Sequence, residues 1–147
     1  MQWVPRSPFQ SLEGCIFLGR IIDKARRHVS GAPIGEYMYG DSDYMDSRVF
    51  KLLATNAAEV NELVRTEPDD EKVARALVVR SGKTPEEIRA FSRKMRLIYT
   101  PVFIMFDADE GRNNGRIPQL LCGFYNRVMY PHFAKKFLED QARNAGG

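Results

Sequence analysis

The strongest constraint on the fold is an apolar stripe near the N-terminus whose members recur every three or four residues. The stripe consists of Cys15, Leu18, Ile22, Ala25 and Val29. Because an α-helix turns once in about 3.6 residues, these side chains share one helix face and must bury it against other elements. The pattern predicts a helix from about Ser11 that ends where Gly31 supplies a left-handed cap and Pro33 prevents continuation.

Capping residues mark the starts of further helices. The clearest signal is Thr84-Pro85-Glu86-Glu87, in which a threonine cap precedes proline at the first helical position and glutamate at the third. Asn56 with Glu59 three residues on predicts another start of the same kind. The remaining expected starts are Asp46 or Ser47, Pro68 (in a helix that Gly82 ends) and Pro118.

Proline, glycine and polar residues divide these helices. Residues 1–10 contain two prolines and predict an extended arm, whereas 32–45 predict a loop with a short strand at Glu36–Tyr39 as an alternative. Thr100-Pro101 is expected to break a helix, and 102–106 is either helix or buried strand, with helix favoured by its neighbours. With 107–116 as a loop, we predict an all-α fold, a single-domain bundle of about six helices over residues 1–147.

Composition narrows the function classes. Hydrophobic residues make up 44% and charged residues 28% of the chain, as in soluble globular proteins, and the longest apolar runs fall short of the ~18 residues of a membrane span. A net charge of +3 does not favour nucleic acid, although residues 41–73 carry nine acids and four bases while 74–101 carry seven bases and two acids. Cys15 and Cys122 have no metal spacing and are interpreted as buried, reduced thiols. We therefore expect a cytoplasmic protein.

The first candidate site is a cationic helix face beside an aromatic loop. Its residues are Arg20, Asp23, Lys24, Arg27, His28, Glu36 and Tyr37. Positions 20, 23, 24 and 27 fall on a face opposite the apolar stripe, and Asp23 can pair with Arg20 or Arg27. If the loop folds back, the face becomes an anion pocket with an aromatic wall, because guanidinium groups bind carboxylate or phosphate in a fork. The alternative is a solvated charged face with an ordinary ion pair.

The second candidate site is an acidic segment. Asp107, Asp109 and Glu110 place three carboxylates in four residues, which favours a hard cation with oxygen ligands. The EF-hand pattern fails, because its twelfth position would be Pro118 rather than glutamate. The alternative is that these acids pair with Arg112, Arg116 or the basic helix at 89–96.

A third feature is a set of basic residues on one predicted helix. In addition, several common catalytic motifs are absent from the sequence. Arg89, Arg93 and Arg96, with Lys94 beside them, share one helix face. Phosphate binding is one interpretation of this face, and the favoured alternative is solvation or a salt-linked contact to the acidic region 41–73. His28 and His132 lack partners at zinc-ligand spacing, and no nucleophile elbow or phosphate-binding glycine loop occurs.

Several segments in order resemble one family. They are Pro5-Arg6-Ser7-Pro8, Arg20-Ile21-Ile22-Asp23-Lys24-Ala25-Arg26, Gly35-Glu36-Tyr37, Thr84-Pro85-Glu86-Glu87-Ile88 and Asp107-Ala108-Asp109-Glu110-Gly111-Arg112. Over residues 5–112 the chain resembles an uncharacterised bacterial family, domain of unknown function 5069. The resemblance implies a small cytoplasmic bacterial protein and no particular reaction. Residues 112–147 would be a C-terminal extension relative to the family, which covers a site or forms a subunit contact.

Two functions are compatible with these features. The favoured one is a non-enzymatic helical binding or accessory protein without a cofactor, whose partner is a small anion or another protein. The alternative is a metal- or anion-dependent enzyme that uses Asp107, Asp109 and Glu110, with Arg20 or Lys24 positioning substrate. A third hypothesis is self-association through the apolar stretch Ile117–Leu138, which is otherwise intramolecular core.

Overall fold

The fold is mostly helical and opens with a small hairpin. A computed structural model of the chain describes residues 2–112, together with 127, 135, 139 and 143. Its elements are β1 (Ser11–Leu12), β2 (Cys15–Ile16), α1 (Leu18–Val29), α2 (Tyr44–Leu52), α3 (Ala57–Thr66), α4 (Asp70–Ser81) and α5 (Pro85–Asp109). In the described residues the predicted helical class is thus confirmed with five helices and a hairpin, rather than about six helices alone. The predictions for Pro118 and for Ile117–Leu138 lie outside the described residues.

The residues fall into two compact units, Met1–Ile98 and Tyr99–Gly147. In the first unit, α1 packs against α3 and α4, and α3 also contacts α4. Its core is made of fully buried side chains from β2, from the residue that follows it and from all five helices, including Phe17, Ile21, Val49, Val60, Val73 and Ile88. None of the helices in the described part of the chain is both long and apolar enough to cross a membrane.

The prediction that the first helix starts near Ser11 is wrong. Residues 11–16 form an antiparallel hairpin in which Leu12 pairs with Cys15. Glu13 and Gly14 both have positive φ angles, 49° and 75°, which suit a two-residue hairpin turn and which a helix cannot accommodate. Phe17, at φ 72°, separates the hairpin from α1 without any side-chain cap. The apolar stripe itself is buried from Leu18 to Ala25, and Gly31 has the left-handed φ of 74° expected of a cap.

The predicted caps are confirmed at α3 and α5 and wrong at α2. Asn56 accepts a hydrogen bond from the Glu59 amide, and Thr84 and Glu87 cap each other's backbone N–H groups at 3.2 and 2.8 Å. At α2 the cap is Asp43 rather than Asp46 or Ser47. A helix needs only one acceptor side chain before its first turn, and Asp43 reaches the amide of residue 46 at 2.9 Å.

Two further boundaries differ from the sequence prediction. Pro68 precedes the Asp69 cap of α4 instead of lying in its first turn, although the helix ends at Gly82 as expected. Pro101 lies inside α5 and does not break it. The buried residues on both sides of the proline, Tyr99, Val102 and Phe103, continue the three-and-four spacing, so their burial outweighs the backbone hydrogen bond that proline removes. Residues 102–106 are accordingly helix, and 32–43 is a loop without a strand at Glu36–Tyr39.

Candidate functional site

The N-terminal arm is fastened to the first unit through Arg6. Its backbone N–H donates to Asp23 Oδ2 at 2.7 Å, and its Nη2 lies 2.7 Å from Asp23 Oδ1. Arg6 also pairs with Asp70 of α4, and Arg26 donates from Nε to the other oxygen of Asp70 at 2.6 Å. Gly19 permits the close approach of the arm, since a Cβ there would lie 3.3 Å from Arg6 Nε. The partner of Asp23 is therefore Arg6, and the predicted pairing with Arg20 or Arg27 is wrong.

Arg20 is buried rather than solvated. Only 3% of the residue is exposed, and its Nη1 donates to the backbone carbonyl of Arg6 at 3.1 Å. Its guanidinium also lies 5.3 Å from the ring centre of Tyr37, at a distance typical of cation–π contacts. Arg20 thus joins the arm to the loop that follows α1.

Lys24 holds the same loop through a buried ion pair. Its Nζ lies 2.5 Å from Asp46 Oδ1 and donates to the Met38 carbonyl at 3.0 Å, while Asp46 Oδ2 accepts from the Gly40 amide at 3.2 Å. Lys24 is 3% exposed and Asp46 is fully buried. Burial raises the pKa of Asp46 to about 7, against the opposing effect of Lys24. The alternative of a solvated charged face is therefore wrong at positions 20 and 24, where the arm and the loop contact both side chains.

Arg27 is the cation of this face that keeps access to solvent. Its guanidinium lies over the indole of Trp3, 5.2 Å from the ring centre, and its Nε donates to the Pro33 carbonyl at 3.0 Å. Trp3 in turn meets Tyr37 edge to face at 5.7 Å. Arg27, Trp3 and Tyr37 are all half-buried. Among the described residues, the two terminal nitrogens of Arg27 have no hydrogen-bond partner, so they are available to a ligand.

The remaining predicted site residues lie on the solvent side. Glu36 and His28 are exposed, and His28 contacts the ring of Tyr39 at 5.6 Å. Met38, next to Tyr37, is 59% exposed even though its carbonyl is bound by Lys24. The loop thus exposes Glu36 and Met38, while Lys24 and Asp46 bind its backbone.

Comparison with known proteins identifies the family. A family model described as domain of unknown function 5069 matches residues 2–101. The chain belongs to this family. No curated protein and no solved structure matches the chain.

In this member of the family 5069, the matched region contains the arm, the loop and Arg27 with its neighbours Trp3, Pro33 and Tyr37. The match ends at residue 101, so the acidic segment included in the sequence resemblance over 5–112 lies beyond it.

Two carboxylates of the acidic segment form ion pairs with a nearby arginine. Asp107 and Asp109 belong to the last turn of α5, and Arg112 pairs with Asp107 at 3.3 Å and with Glu110. This is the pairing with Arg112 that the sequence offered as the alternative. Within the described residues, no cluster of three acidic, histidine or cysteine side chains has the arrangement of a metal site. Metal binding at this segment stays a prediction from the sequence.

Sequence reasoning missed several residues that build the site of this family member. The sequence places Arg6 only within a family segment, and it indicates Asp46 as a helix cap. Their partners are 17 and 22 residues away along the chain, a separation at which periodicity carries no signal. The packing of Trp3 was predictable, since an aromatic side chain in a proline-containing arm indicates that the arm packs against the body.

Cys15 offers no nucleophile. It is a fully buried thiol on β2, and burial raises its pKa to about 12, so it stays protonated at neutral pH. Cys122 lies outside the described residues.

Proposed function

We propose that this protein is a small, non-enzymatic binding protein that holds a carboxylate or phosphate group of its ligand on Arg27. The observation that carries the proposal is the state of the Arg27 guanidinium. It is fixed by the Trp3 ring and the Pro33 carbonyl, while within residues 2–112 its terminal nitrogens have no partner. Two parallel N–H groups of a guanidinium match the two oxygens of a carboxylate or phosphate.

Preorganisation strengthens such a site. A free arginine side chain loses up to about 2 kcal/mol of rotamer entropy when it is immobilised by a ligand. Part of that loss is already incurred here, because stacking and the Nε hydrogen bond restrict Arg27 before a ligand arrives. Tyr37 and Trp3 give the site an aromatic wall, and Glu36 on the exposed loop supplies an acceptor for a ligand donor.

The other predicted ligand-binding residues act as supports in this proposal. Arg20 and Asp23 hold the arm that carries Trp3, and Lys24 holds the loop that carries Tyr37. We further propose a cytoplasmic bacterial protein, as the sequence resemblance implies, that needs no cofactor and whose partner is a small anion or the anionic group of a protein.

Trp3 provides a direct test, because it is the only tryptophan in the chain and lies against Arg27. Titration with inorganic phosphate or acetate, at constant ionic strength maintained with chloride, is expected to change the tryptophan emission in a saturable manner. Arg27→Ala is expected to abolish saturation, and Arg27→Lys to weaken binding about tenfold, because lysine keeps the charge but not the fork.

Arg65→Ala is the matched control, since Arg65 is half-exposed on α3 and pairs only within its own helix among the described contacts. The control variant is expected to titrate like the parent. Equal saturation of the Arg27→Ala variant and the parent, or no saturable response of the parent to either anion, would contradict the proposal.

A further inference from the structure

The N-terminal half of α5 carries an exposed basic face with an apolar side chain in its midst. Arg89, Arg93 and Lys94 are exposed, and none of them has an ion-pair partner within residues 2–112. Leu97, one turn after Arg93, is 84% exposed. The acids of region 41–73 therefore do not neutralise this face within the described part of the chain.

Two of those acids pair with cations of the same unit, and two others line a groove. Asp46 is paired with Lys24, and Asp70 with Arg6 and Arg26. A groove of about 400 Å³ lies on α3 and α4. It is lined by Ala58, Glu59, Glu62, Leu63, Thr66 and Arg80.

The groove and the α5 face are chemically complementary. Ala58 and Leu63 supply apolar surface, while Glu59 and Glu62 are exposed carboxylates beside it. Leu97 is an exposed apolar side chain flanked by cations. Docking the second surface on the first removes a leucine from water and brings opposite charges together, which are the two features that favour and orient an interface.

We propose that copies of this chain associate head to tail, with the basic face of α5 in one copy seated in the α3–α4 groove of the next. The two surfaces belong to the same unit and are different from each other, so each contact joins the α5 face of one copy to the groove of another. Such heterologous contacts generate rings or open chains of subunits. The proposal is independent of the Arg27 site.

Sedimentation velocity of the full chain tests this proposal. The weight-average mass is expected to rise with protein concentration at about 0.01 M salt and to fall to that of a monomer at about 1 M, as the Debye length shortens from ~30 Å to ~3 Å. A parent that stays monomeric at low salt over the whole concentration range overturns the proposal.

Charge reversal then locates the interface. Arg93→Glu and Glu62→Lys are each expected to weaken self-association about tenfold or more, since each puts like charges opposite one another. Lys51→Glu, an equal charge change on an exposed position of α2, is expected to associate like the parent.

The decisive sample is the mixture of the two variants. The Arg93→Glu chain keeps an intact groove and the Glu62→Lys chain an intact α5 face, so the mixture is expected to regain the association that each variant alone has lost. Failure of the mixture to dimerise, or undiminished self-association of either variant alone, overturns the proposal. Recovery in the mixture also shows that both variants are folded.

Arg80 gives a test of opposite sign. It is the cation that lines the groove, and it opposes an incoming basic helix. Arg80→Gln is therefore expected to strengthen self-association at low salt. Weaker association of this variant would count against the groove as the docking surface.

Discussion

Replacing Lys24 with methionine is expected to lower the free energy of unfolding by about 3–5 kcal/mol, the cost typical of removing one partner from a buried ion pair. Lys24 Nζ lies 2.5 Å from Asp46 Oδ1, and Asp46 is fully buried. Without the ammonium group, the carboxylate loses its counter-charge, and the Met38 carbonyl loses its donor. Chemical denaturation of parent and variant measures the difference.

The pH dependence of this loss follows from Asp46. Burial already raises its pKa from 3.8 to about 7, and removal of Lys24 raises the pKa further, since Lys24 opposes the shift. A carboxyl whose pKa is higher in the folded state binds more protons there, so stability falls as pH rises from the unfolded pKa towards the folded one. The variant is therefore expected to lose more stability at about pH 8 than at about pH 5.

Two controls separate the ion pair from general damage. Lys72→Met, on an exposed position of α4, is expected to change stability by less than about 0.5 kcal/mol. Adding Asp46→Leu to Lys24→Met is expected to recover part of the loss, because replacing both partners leaves no unpaired charge. A Lys24→Met protein as stable as the parent at about pH 8 would show that the pair does not hold the loop.

Ser92→Ala is expected to cost about 1–3 kcal/mol, the penalty for leaving a buried polar group without a partner. The Ser92 hydroxyl accepts from the Ile16 amide at 3.0 Å and donates to the Gly14 carbonyl at 2.7 Å. One side chain of α5 thus satisfies two backbone groups of the hairpin, 76 and 78 residues away. Thermal or urea unfolding measures the loss, and hydrogen exchange of the Ile16 amide locates it.

Ser47→Ala is the matched control, because Ser47 donates only to the Tyr44 carbonyl of its own helix among the described contacts. That substitution is expected to change stability by less than about 0.5 kcal/mol and to leave the Ile16 amide protected. Unchanged protection of the Ile16 amide in the Ser92→Ala variant would mean that this hydroxyl does not anchor the hairpin.

The starts of α3 and α5 were predictable because a side chain near in sequence sets each of them. Asn56 and Thr84 bind amides three residues away, so a local pattern carries the whole signal. The hairpin was not predictable from the apolar pattern. Leu12, Cys15 and Ile16 are buried in the hairpin, as the helical spacing also requires of apolar residues. The hairpin is distinguished by the positive φ of Glu13, which the spacing does not reveal.

The candidate site was predictable as a set of residues but not as a surface. A helical wheel places Arg20 and Lys24 away from the apolar stripe, and it contains no information on what covers them. Burial there depends on Arg6 and on the loop from Met38 to Gly40, whose contacts with α1 span 14 or more residues. The same covering leaves Arg27 at the edge of the arm, where its terminal nitrogens reach solvent.

The central claim is that Arg27 receives an anion while Arg20 and Lys24 are used inside the protein. The most direct measurement is the nitrogen-15 spectrum of the arginine side chains during titration with inorganic phosphate, with assignments from Arg27→Lys and Arg20→Lys. We expect the Nε–H resonance of Arg27 to move with saturation while that of Arg20 stays in place. A stationary Arg27 resonance, or one that moves only together with Arg20, would contradict the account.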